Sequence, residues 1–398
     1  MGCIIILGRR SAVRIDSEHT VWFWQRIVSP HMANLAEALA FLGCNVVLVA
    51  EESMSKDRVE LGWSAPELSG VRVEFAATVE AVSALIDAAP AHVTHVCQGV
   101  RANGVVAEVQ RRLAERRLRY WVVMETVDDN GWRGVLKRLE YRRLFLLMRH
   151  RVEGVLANGY RTSEWLARRG VPRQKIFDFS YFLSDEDAAA LPERAEAFRF
   201  VFVGQFIARK RLDLLIDALS ALTHQQYEFC VIGSGPLEEE LRARAEAQLP
   251  GRVRWVGRLP AHEVPLAIAG SDCLVLPSRH DGWGAVVSEA LMVGTPAVCS
   301  DTCGAAGVVL ASGHGGVFSS GDVRGLSVLL GEILRKGRLS KTARTGLAEW
   351  AQCLGARAGA RYLLEILESR RLGGAKPTPP WLKSSLKCVV DERAETVE

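Results

Sequence analysis

The chain has 398 residues, 48% of them apolar and 24% charged, with 50 basic side chains against 46 acidic ones. This composition is that of an ordinary globular protein and excludes collagen-like, coiled-coil and disordered chains. A net charge of +4 is too small to identify a partner. The length allows two or three domains, each with a hydrophobic core large enough to fold without disulfides or structural metals.

The distribution of cysteines and the length of the apolar runs indicate the cellular compartment in which the protein is expected. Nine cysteines, an odd number, are scattered along the chain, and only Cys299 and Cys303 are close together. This predicts reduced, mostly buried thiols rather than a disulfide framework or a zinc site. The N-terminus lacks the pattern of a signal peptide, and no apolar run reaches the roughly 18 residues that a transmembrane helix requires. We therefore expect a cytoplasmic protein.

Short apolar runs alternate with amphipathic helical stretches, a rhythm typical of parallel sheets covered by helices on both faces. In the first half, strands are predicted over 3–8, 45–50, 71–75, 92–97, 120–125 and 152–157, and helices over 32–42, 78–88, 103–117 and 134–148. In the second half, strands are predicted over 200–204, 228–233, 252–257, 272–277 and 296–299, and helices over 211–222, 237–248 and 285–293. Eleven strands are too many for one sheet, so we predict an α/β protein of two doubly wound, Rossmann-like domains facing a cleft.

The domain boundary is predicted within 184–199, which is polar, acidic and contains a proline. We divide the chain into an N-terminal domain, a C-terminal domain, a last helix packing back toward the N-terminal domain and a loose tail, which span 1–184, 185–354, 355–372 and 373–398. Trp381 and Leu382 are the only side chains expected to anchor the tail, because the rest of it is polar.

The most informative segment is 272–300, where an apolar strand leads into a loop and then a helix. Its candidate residues are Asp281, Gly282, Trp283 and Gly284 in the loop, Ala285 at the helix start and Glu289 within the helix. The glycines let the backbone approach a ligand closely, and the free amides of a helix start suit an anionic group such as phosphate. The two carboxylates flank this turn, where they can accept hydrogen bonds from the hydroxyls of a sugar and a ribose.

An earlier segment of the same half predicts a pyrophosphate site. A strand ends at Gly204, and Arg209 and Lys210 follow it just before a helix. A glycine turn that leads to guanidinium and ammonium groups beside a helix N-terminus is suited to two linked phosphates. The turn after the next strand carries Gly233 and Gly235 but lacks the third glycine of the dinucleotide fingerprint, which argues against an NAD site.

The segment around Asp281 resembles the acid-x7-acid signature of retaining glycosyltransferases of the GT-B fold, in glycosyltransferase family 4 (glycosyl transferases group 1). Here the signature is Asp281-Gly282-Trp283-Gly284, then Glu289-Ala290-Leu291 and then Gly-Thr-Pro-Ala-Val. The resemblance implies that Asp281 contacts the donor sugar and that Glu289 contacts the nucleotide ribose. Aspartate replaces the glutamate of the family at the first position, a departure that keeps the charge and bears on which sugar is bound.

The resemblance extends to the rest of the expected donor site. Lys210 matches the family lysine, whereas Gln205 replaces the family arginine, so Arg209 is expected to supply the second positive charge. The stretch with Arg258 and Leu259 is similar to the part of the family that lines the base pocket. The expected donor-binding residues are Gly204, Gln205, Arg209, Lys210, Gly233, Gly235, Arg258, Leu259, Asp281, Gly282, Trp283, Gly284, Ala285 and Glu289.

The implied reaction moves a sugar from a nucleoside diphosphate to an acceptor with retention at the anomeric carbon. Cationic side chains and helix amides stabilise the departing diphosphate, so no metal or other cofactor is expected. The stretch 185–187 has the Asp-x-Asp form of a metal site, but it lies in the acidic linker and is interpreted as solvated charge. Two alternatives stay open: a GT-B epimerase or phosphorylase, and a non-catalytic, membrane-associated scaffold.

The first domain is expected to receive the acceptor, for which the candidates are His31, Glu125, Asp128 and Trp132. Glu125 ends a strand where many relatives have histidine, and its carboxylate either orients an acceptor hydroxyl or caps the loop. A long loop is predicted over 9–29, carrying Trp22 and Trp24 over the acceptor pocket. The catalytic candidates are Asp281, Glu289, Arg209, Lys210, Glu125 and His31.

A basic surface is predicted in the same domain. The stretch 131–151 carries seven Lys or Arg residues and one acidic residue, with aromatic and leucine side chains between them, and 109–120 adds five arginines. Such a surface suits an anionic membrane leaflet, and no nucleic-acid-binding motif accompanies it. The alternative is a solvated helix with its apolar side in the core. We expect peripheral contact with the inner face of the cytoplasmic membrane, and the resemblance implies a lipid-linked or growing glycan of a bacterial surface polysaccharide as the acceptor.

Overall fold

The computed structural model describes residues 19–55, 65–100, 103–129, 131–185 and 196–383. The strand predicted over 3–8 and most of the acidic linker, with Glu186 and Asp187, lie outside this part of the chain. The described residues form two α/β domains, each built on one parallel sheet. The cysteines among them are buried free thiols, as predicted: Cys44, Cys97, Cys230, Cys273, Cys299, Cys303 and Cys353.

The N-terminal domain has a sheet of seven described strands with helices on both faces. Its strands are β1 (Thr20–Ile27), β2 (Asn45–Glu52), β3 (Arg72–Phe75), β4 (Thr94–Gln98), β5 (Tyr120–Glu125), β6 (Val152–Asn158) and β7 (Ile176–Phe179). Its described helices are α1 (Pro30–Phe41), α2 (Val79–Ala88), α3 (Val106–Glu115), α4 (Gly131–Met148) and α5 (Thr162–Ala167). The strand order is β3-β2-β1-β4-β5-β6-β7, which confirms the predicted doubly wound topology. The order reverses between β1 and β4, where ligands of such sheets bind beyond the carboxyl ends of the strands.

Strand β1 shows that the loop predicted over 9–29 is wrong over residues 20–27. β1 pairs with β2 on one side and with β4 on the other, and seven of its eight residues are buried. Trp22 and Trp24 are 3% and 0% exposed, so they belong to the core and do not cover the acceptor pocket. The physical reason is that large aromatic and β-branched side chains fit a buried pleated strand.

The C-terminal domain repeats the architecture with six described strands. These are β8 (Phe198–Val203), β9 (Tyr227–Ile232), β10 (Val253–Gly257), β11 (Cys273–Leu276), β12 (Ala297–Ser300) and β13 (Gly315–Phe318), in the order β10-β9-β8-β11-β12-β13. The described helices are α6 (Leu212–Ser220), α7 (Glu238–Gln248), α8 (Val264–Ala269), α9 (Ala285–Met292), α10 (Ala306–Ser312), α11 (Val323–Lys336) and α12 (Lys341–Ala351). The sequence analysis missed β7 and β13, since both are four-residue edge strands and β13 opens with two glycines.

The last long helix, α13 (Ala356–Leu372), returns to the N-terminal domain. The Tyr362 hydroxyl donates a hydrogen bond to the Asp178 carbonyl oxygen (2.9 Å), and the Tyr362 ring stacks on Phe179. Where the chain crosses between domains, Leu183 pairs with the stretch before α13: its amide donates to the Leu354 carbonyl (3.0 Å), and its carbonyl accepts from the Ala356 amide (2.7 Å). The two crossings of the chain therefore lie side by side.

The segment after α13 corrects the expectation of a loose tail from residue 373. Trp381 is 7% exposed and packs edge-on against Tyr362, with ring centroids 6.4 Å apart. The Lys376 ammonium lies 5.2 Å from the ring centroid of Phe177 in β7. The segment 373–383 is thus packed on the N-terminal domain, because burial of one indole ring stabilises an otherwise polar stretch. Leu382, the other expected anchor, is 46% exposed.

A direct contact between the domains lies beside the cleft. The Tyr160 amide donates to the Gly304 carbonyl (2.8 Å), and the Arg161 guanidinium lies 2.6 Å from the Asp301 carboxylate. Gly159 has φ +106°, and a Cβ atom there would come within 3.0 Å of both the Gly282 carbonyl oxygen and Gly304 Cα. The loop after β6 therefore contacts the C-terminal domain at backbone level.

Candidate functional site

A cleft of about 2470 Å³ lies between the two domains, at the carboxyl ends of both sheets. A pocket for one small ligand typically has about 300–1,000 Å³, so this cleft has room for two substrates. The predicted residues that line it are His31, Glu125, Gly204, Gln205, Arg209, Lys210, Gly233, Arg258, Leu259, Asp281, Gly282, Trp283, Gly284, Ala285 and Glu289. Gly235, Asp128 and Trp132 are not among the lining residues.

The loop between β11 and α9, hereafter the donor loop (residues 277–284), is held by backbone hydrogen bonds. The Asp281 amide donates to the Thr302 carbonyl (3.3 Å), and the Asp281 carbonyl accepts from the Gly304 amide (3.0 Å). Gly284 has φ +86° and is the N-cap of α9, a conformation that favours glycine. The Val287 amide donates to the Gly284 carbonyl (2.9 Å), whereas the amides of the first two residues of a helix have no carbonyl to bond within it, so the start of α9 suits an anion.

The predicted positive charges meet the first carboxylate of the signature. Lys210 Nζ donates to Asp281 Oδ2 at 2.5 Å, and both side chains are mostly buried. Arg209 donates to the His280 carbonyl at 2.8 Å, and its guanidinium lies 3.8 Å from Asp281 Oδ1. The structure therefore brings two cationic groups and one carboxylate together at the amino end of α9.

Glu289 supplies the second carboxylate, on the same side of α9 as Ala285. The two positions are four apart in the chain, which is about one helical turn, and both residues line the cleft. Asp281 thus precedes the helix start, Glu289 lies within the helix, and both residues line the cleft. Charged side chains and the start of a helix therefore lie together here, and their binding of a phosphate and its attached sugars stays a prediction.

The glycine turns after β8 and β9 are packed against each other. Gly233 has φ +133°, and a Cβ atom there would overlap the Gly204 carbonyl oxygen. A Cβ atom at Gly235 would lie 2.6 Å from the Phe206 carbonyl oxygen, so this glycine serves close packing behind the cleft wall. The Arg258 guanidinium donates to the Ser234 hydroxyl in the same turn.

Trp283 contributes mainly to holding the donor loop in place. Its side chain is 4% exposed, and its Nε1 donates to the Ser288 hydroxyl at 3.0 Å. The Trp283 carbonyl oxygen accepts a hydrogen bond from the Ala305 amide at 2.7 Å. The indole ring therefore presents little surface to a ligand, although the residue borders the cleft.

On the opposite wall, Glu125 ends β5 and its carboxylate contacts the donor loop. A Cβ atom at Gly282 would overlap Glu125 Oε2, which shows how closely the two domains approach here. His31 at the start of α1 lines the same part of the cleft, and its ring stacks on that of Tyr181 with centroids 4.9 Å apart. Of the two acceptor-side catalytic candidates, Glu125 thus contacts the donor loop, and His31 lines the cleft beside Tyr181.

Two other acceptor candidates are placed differently from the expectation. The side chain of Trp132 is 72% exposed at the start of α4, and neither it nor Asp128 borders the cleft. Thr126 and Val127 still line the cleft after Glu125, but Asp128 does not, and Trp132 is exposed to solvent at the first turn of α4. Proximity in sequence to Glu125 was a misleading signal for them.

Tyr181 is a cleft residue that the sequence analysis missed. It follows β7 by two positions, and burial, then the charge of Glu125 and a hydrogen bond to Glu125, raise the pKa of its hydroxyl well above the usual value. The signal that would have found it is β7 itself, because residues at the carboxyl end of a parallel strand face the site. Because β7 was not predicted, Tyr181 was not recognised as a residue of the cleft.

The described residues offer neither a cluster of metal ligands nor a membrane-spanning helix. No group of three or more His, Cys, Asp or Glu side chains there is arranged to hold a metal ion. Asp185, the described member of the Asp-x-Asp stretch, accepts a hydrogen bond from the Arg357 amide at 2.8 Å. Within the same described ranges, every helix is too short or too polar to cross a bilayer.

Comparison with known proteins agrees with this architecture. Residues 184–346 match the family model for glycosyl transferases group 1. Over 162 residues the chain is 29% identical to a 2-deoxystreptamine glucosyltransferase of Streptomyces kanamyceticus, a match that covers 37% of this chain and 42% of that relative. The chain therefore spans less than half the length of this relative. These matches support a transferase of group 1.

Two solved structures match most of the chain and show the GT-B fold. One is the apo form of the lipopolysaccharide outer core galactosyltransferase WaaB, with a TM-score of 0.63 and 16% identity over 89% of this chain and 99% of that one. The other is Anabaena Alr3699/HepE in complex with UDP and glucose, with a TM-score of 0.63 and 14% identity over 88% of this chain and 100% of that one. The predicted fold of two Rossmann-like domains facing a cleft is confirmed.

Proposed function

We propose that this chain is a glycosyltransferase that moves a sugar from a nucleoside diphosphate to an acceptor bound in the interdomain cleft. The observation that carries the proposal is the grouping of Arg209, Lys210 and Asp281 at the amino end of α9, with Glu289 on that helix. The cationic groups and helix amides suit a diphosphate, and the carboxylates suit the hydroxyls of the sugar and ribose. The match to group 1 and the UDP-bound neighbour support such a donor.

The proposed reaction retains configuration by displacement on one face of the sugar. The bond between the anomeric carbon and the leaving diphosphate oxygen breaks, and a bond from that carbon to the acceptor oxygen forms. The acceptor hydroxyl proton ends on the leaving oxygen. Arg209, Lys210 and the amides of α9 lower the barrier because they stabilise the negative charge that develops on that oxygen, so the scheme needs no metal ion.

We further propose that the chain works at an anionic membrane surface, because α4 turns its apolar side outward. The exposed fractions are 46% to 72% for Trp132, Val135, Leu136, Leu139, Leu146 and Leu147. On the other side of α4, Tyr141 and Phe145 are 9% and 4% exposed. The flanking side chains Lys137, Arg138, Arg142 and Arg143 are exposed. We call this the α4 surface; apolar side chains flanked by cations suit the cytoplasmic leaflet and an acceptor carried there as a lipid-linked or growing surface glycan.

The donor proposal is tested by Glu289→Gln, which keeps the side-chain volume and removes the charge. Each purified protein is screened by thermal shift against UDP-, GDP-, dTDP- and ADP-sugars, and the selected donor is titrated by calorimetry. We expect affinity for the donor to fall by about tenfold or more, since a hydrogen bond to a charged group is lost. Glu332→Gln, at an exposed position of α11, is the matched control. Unchanged affinity and turnover in Glu289→Gln would favour a scaffold.

A further inference from the structure

The loop after β6 in the N-terminal domain, hereafter the β6 loop (residues 159–161), is bonded to the C-terminal domain. The Tyr160 amide donates to the Gly304 carbonyl oxygen (2.8 Å), and the Arg161 guanidinium donates to Asp301 Oδ2 (2.6 Å). These four residues are not among those that line the cleft. The contact between the domains therefore lies beside the site and not in it.

Gly304 connects this contact to the donor loop. Its carbonyl oxygen accepts from Tyr160 of the β6 loop, and its amide donates to the Asp281 carbonyl oxygen in the donor loop (3.0 Å). The neighbouring Ala305 amide donates to the Trp283 carbonyl oxygen (2.7 Å). The segment that receives the β6 loop is thus the same segment that holds the donor loop by its backbone.

Three glycines meet at the junction of the β6 loop, the donor loop and this segment. A Cβ atom at Gly159 would lie 3.0 Å from the Gly282 carbonyl oxygen and from Gly304 Cα, and a Cβ atom at Gly304 would overlap the Gly282 carbonyl oxygen. The three backbones are therefore in direct contact, with no side chain between them. A displacement of the β6 loop away from the C-terminal domain would remove a surface against which the donor loop is packed.

The bonds between the β6 loop and the C-terminal domain are weak enough to break and re-form. The Arg161 side chain is 54% exposed, and the Asp301 side chain is 25% exposed. An ion pair exposed to this degree shifts an equilibrium by about fivefold or less. A contact of this strength can form when substrates are bound and break when products leave.

We propose that the β6 loop closes the cleft over bound substrates and that Arg161 is the positioning residue that places the donor loop against the N-terminal wall. This inference rests on the glycosyltransferase function proposed above. In the closed arrangement Gly282 of the donor loop lies against the Glu125 carboxylate, so the two walls of the cleft meet there. Loss of the contact separates the walls, and a misplacement of about 1 Å is enough to slow a reaction between two bound substrates. Transfer should therefore suffer more than nucleotide binding.

Gly307 offers a second way to disturb the same contact. It lies in the first turn of α10, and a Cβ atom there would come within 2.9 Å of Cδ2 of the Tyr160 ring. Gly307→Leu therefore forces the β6 loop away from α10 without changing a residue that lines the cleft. Leucine is also a better helix former than glycine, so the substitution is compatible with α10.

The test measures donor affinity and turnover in Arg161→Lys, Arg161→Gln, Arg161→Glu and Gly307→Leu. The donor is the nucleotide sugar selected by thermal shift, its Kd is measured by calorimetry, and release of nucleoside diphosphate is followed with water or octyl glucoside as the acceptor. Arg161→Lys should behave like the wild type, because it keeps the cation. We expect kcat to fall by about two- to fivefold in Arg161→Gln, and by about tenfold or more in Arg161→Glu and Gly307→Leu, because like charges or a side chain then hold the loop away. The Kd for the donor should change by less than about twofold, since the charged groups proposed to bind it all belong to the C-terminal domain.

The matched control is Arg168→Glu. Arg168 follows α5 and pairs with Glu164 of that helix (3.0 Å), so this variant loses an exposed ion pair within one domain. Small-angle X-ray scattering measures the separation of the domains without any substrate. Arg161→Glu and Gly307→Leu should have a larger radius of gyration than the wild type, and Arg168→Glu should have an unchanged one.

An unchanged radius of gyration in both Arg161→Glu and Gly307→Leu would overturn the closing contact. An unchanged kcat in these variants, or a donor Kd that worsens as much as kcat, would overturn the positioning role. If the wild type neither binds nor turns over any nucleotide sugar, the glycosyltransferase proposal fails and the positioning role fails with it. Scattering from Arg161→Glu would still decide whether the β6 loop closes the cleft.

Discussion

The Lys210 ammonium lies 2.5 Å from the Asp281 carboxylate, although 71 positions separate the two residues in the chain. Their side chains are 14% and 13% exposed, so the pair is shielded from bulk solvent. In the proposed donor site, Lys210 binds the diphosphate and Asp281 binds the sugar. The ion pair therefore links the residue that binds the diphosphate to the residue that binds the sugar. Replacement of Lys210 and replacement of Asp281 should affect nucleotide affinity and turnover differently.

Asp281→Asn should separate nucleotide binding from sugar transfer. We expect affinity for free UDP or GDP to be maintained or to rise, because Lys210 no longer has a competing carboxylate. Turnover should fall by about tenfold or more, since the contact with the donor sugar is lost. Lys210→Met should weaken nucleotide binding by about tenfold or more. Calorimetry with each nucleotide and an assay of transfer give these numbers, and equal losses of nucleotide affinity in both variants would contradict the division of roles.

Replacement of Leu136, Leu139 and Leu147 by Ser should reduce binding to vesicles that contain phosphatidylglycerol, because each exposed leucine buries apolar area in the interface. Arg142→Glu with Arg143→Glu should reduce binding further and make the remaining binding insensitive to salt. Vesicle sedimentation measures both effects. The controls are Leu310→Ser, which changes a 53% exposed leucine of the other domain, and Arg335→Glu on α11. If the α4 variants sediment like the wild type, the membrane proposal is wrong.

Arg344→Met should destabilise the C-terminal domain. Arg344 is 2% exposed, and its guanidinium donates to the carbonyl oxygens of Gly294 (3.0 Å) and Ala269 (2.8 Å) and to the Thr295 hydroxyl (2.9 Å). These carbonyls lie at the carboxyl ends of α9 and α8, where a cation is favourable. Loss of the guanidinium leaves buried acceptors unpaired and should lower the free energy of unfolding by about 3 kcal/mol. Urea unfolding measures the change, and the exposed Arg335→Met should stay within about 0.5 kcal/mol of wild type.

His95 should make the N-terminal domain less stable in acid. Its ring is 3% exposed and accepts a hydrogen bond at Nδ1 from Trp24 Nε1 (3.2 Å), and burial lowers its pKa from 6.5 to about 4. The unfolded chain binds this proton first, so stability is complete above about pH 6.5 and decreases as the pH falls toward 4. The loss amounts to at most about 3 kcal/mol. Urea unfolding at several pH values should show a smaller acid loss in His95→Gln than in wild type, and parallel losses would refute this origin.

The arrangement of the residues proposed to bind the donor was predictable because its determinants are local in the chain. Within 272–300 the chain runs from a strand through a glycine loop into a helix that carries a carboxylate, and this order alone sets their relative positions. The structure accordingly has Asp281 in the loop and Glu289 in the helix, and both residues line the cleft. The pairing of Lys210 with Asp281 was not predictable in detail. It depends on how β8 and β11 lie next to each other in the sheet, which no local pattern contains.

The N-terminal wall of the cleft was less predictable because it is assembled from distant segments. Glu125 was found because it ends a clear strand, whereas Tyr181 follows a short edge strand with a weak pattern. The aromatic run of β1 was not recognised as a strand, although both of its partner strands, β2 and β4, were predicted, so Trp22 and Trp24 were assigned to a loop although they are core residues. Burial of an aromatic side chain is decided by neighbours in the sheet as much as by its own segment.

The side-by-side crossings at Leu183 and Gly355 have a mechanical consequence. The two chain segments that connect the domains are hydrogen-bonded to each other. One domain can therefore rotate against the other only about an axis that passes through both segments. A single tether would allow twisting as well. Truncation before Ala356 would remove the second connecting segment together with α13. The two walls of the cleft would then no longer be held in a fixed relative orientation, even if each sheet stayed folded.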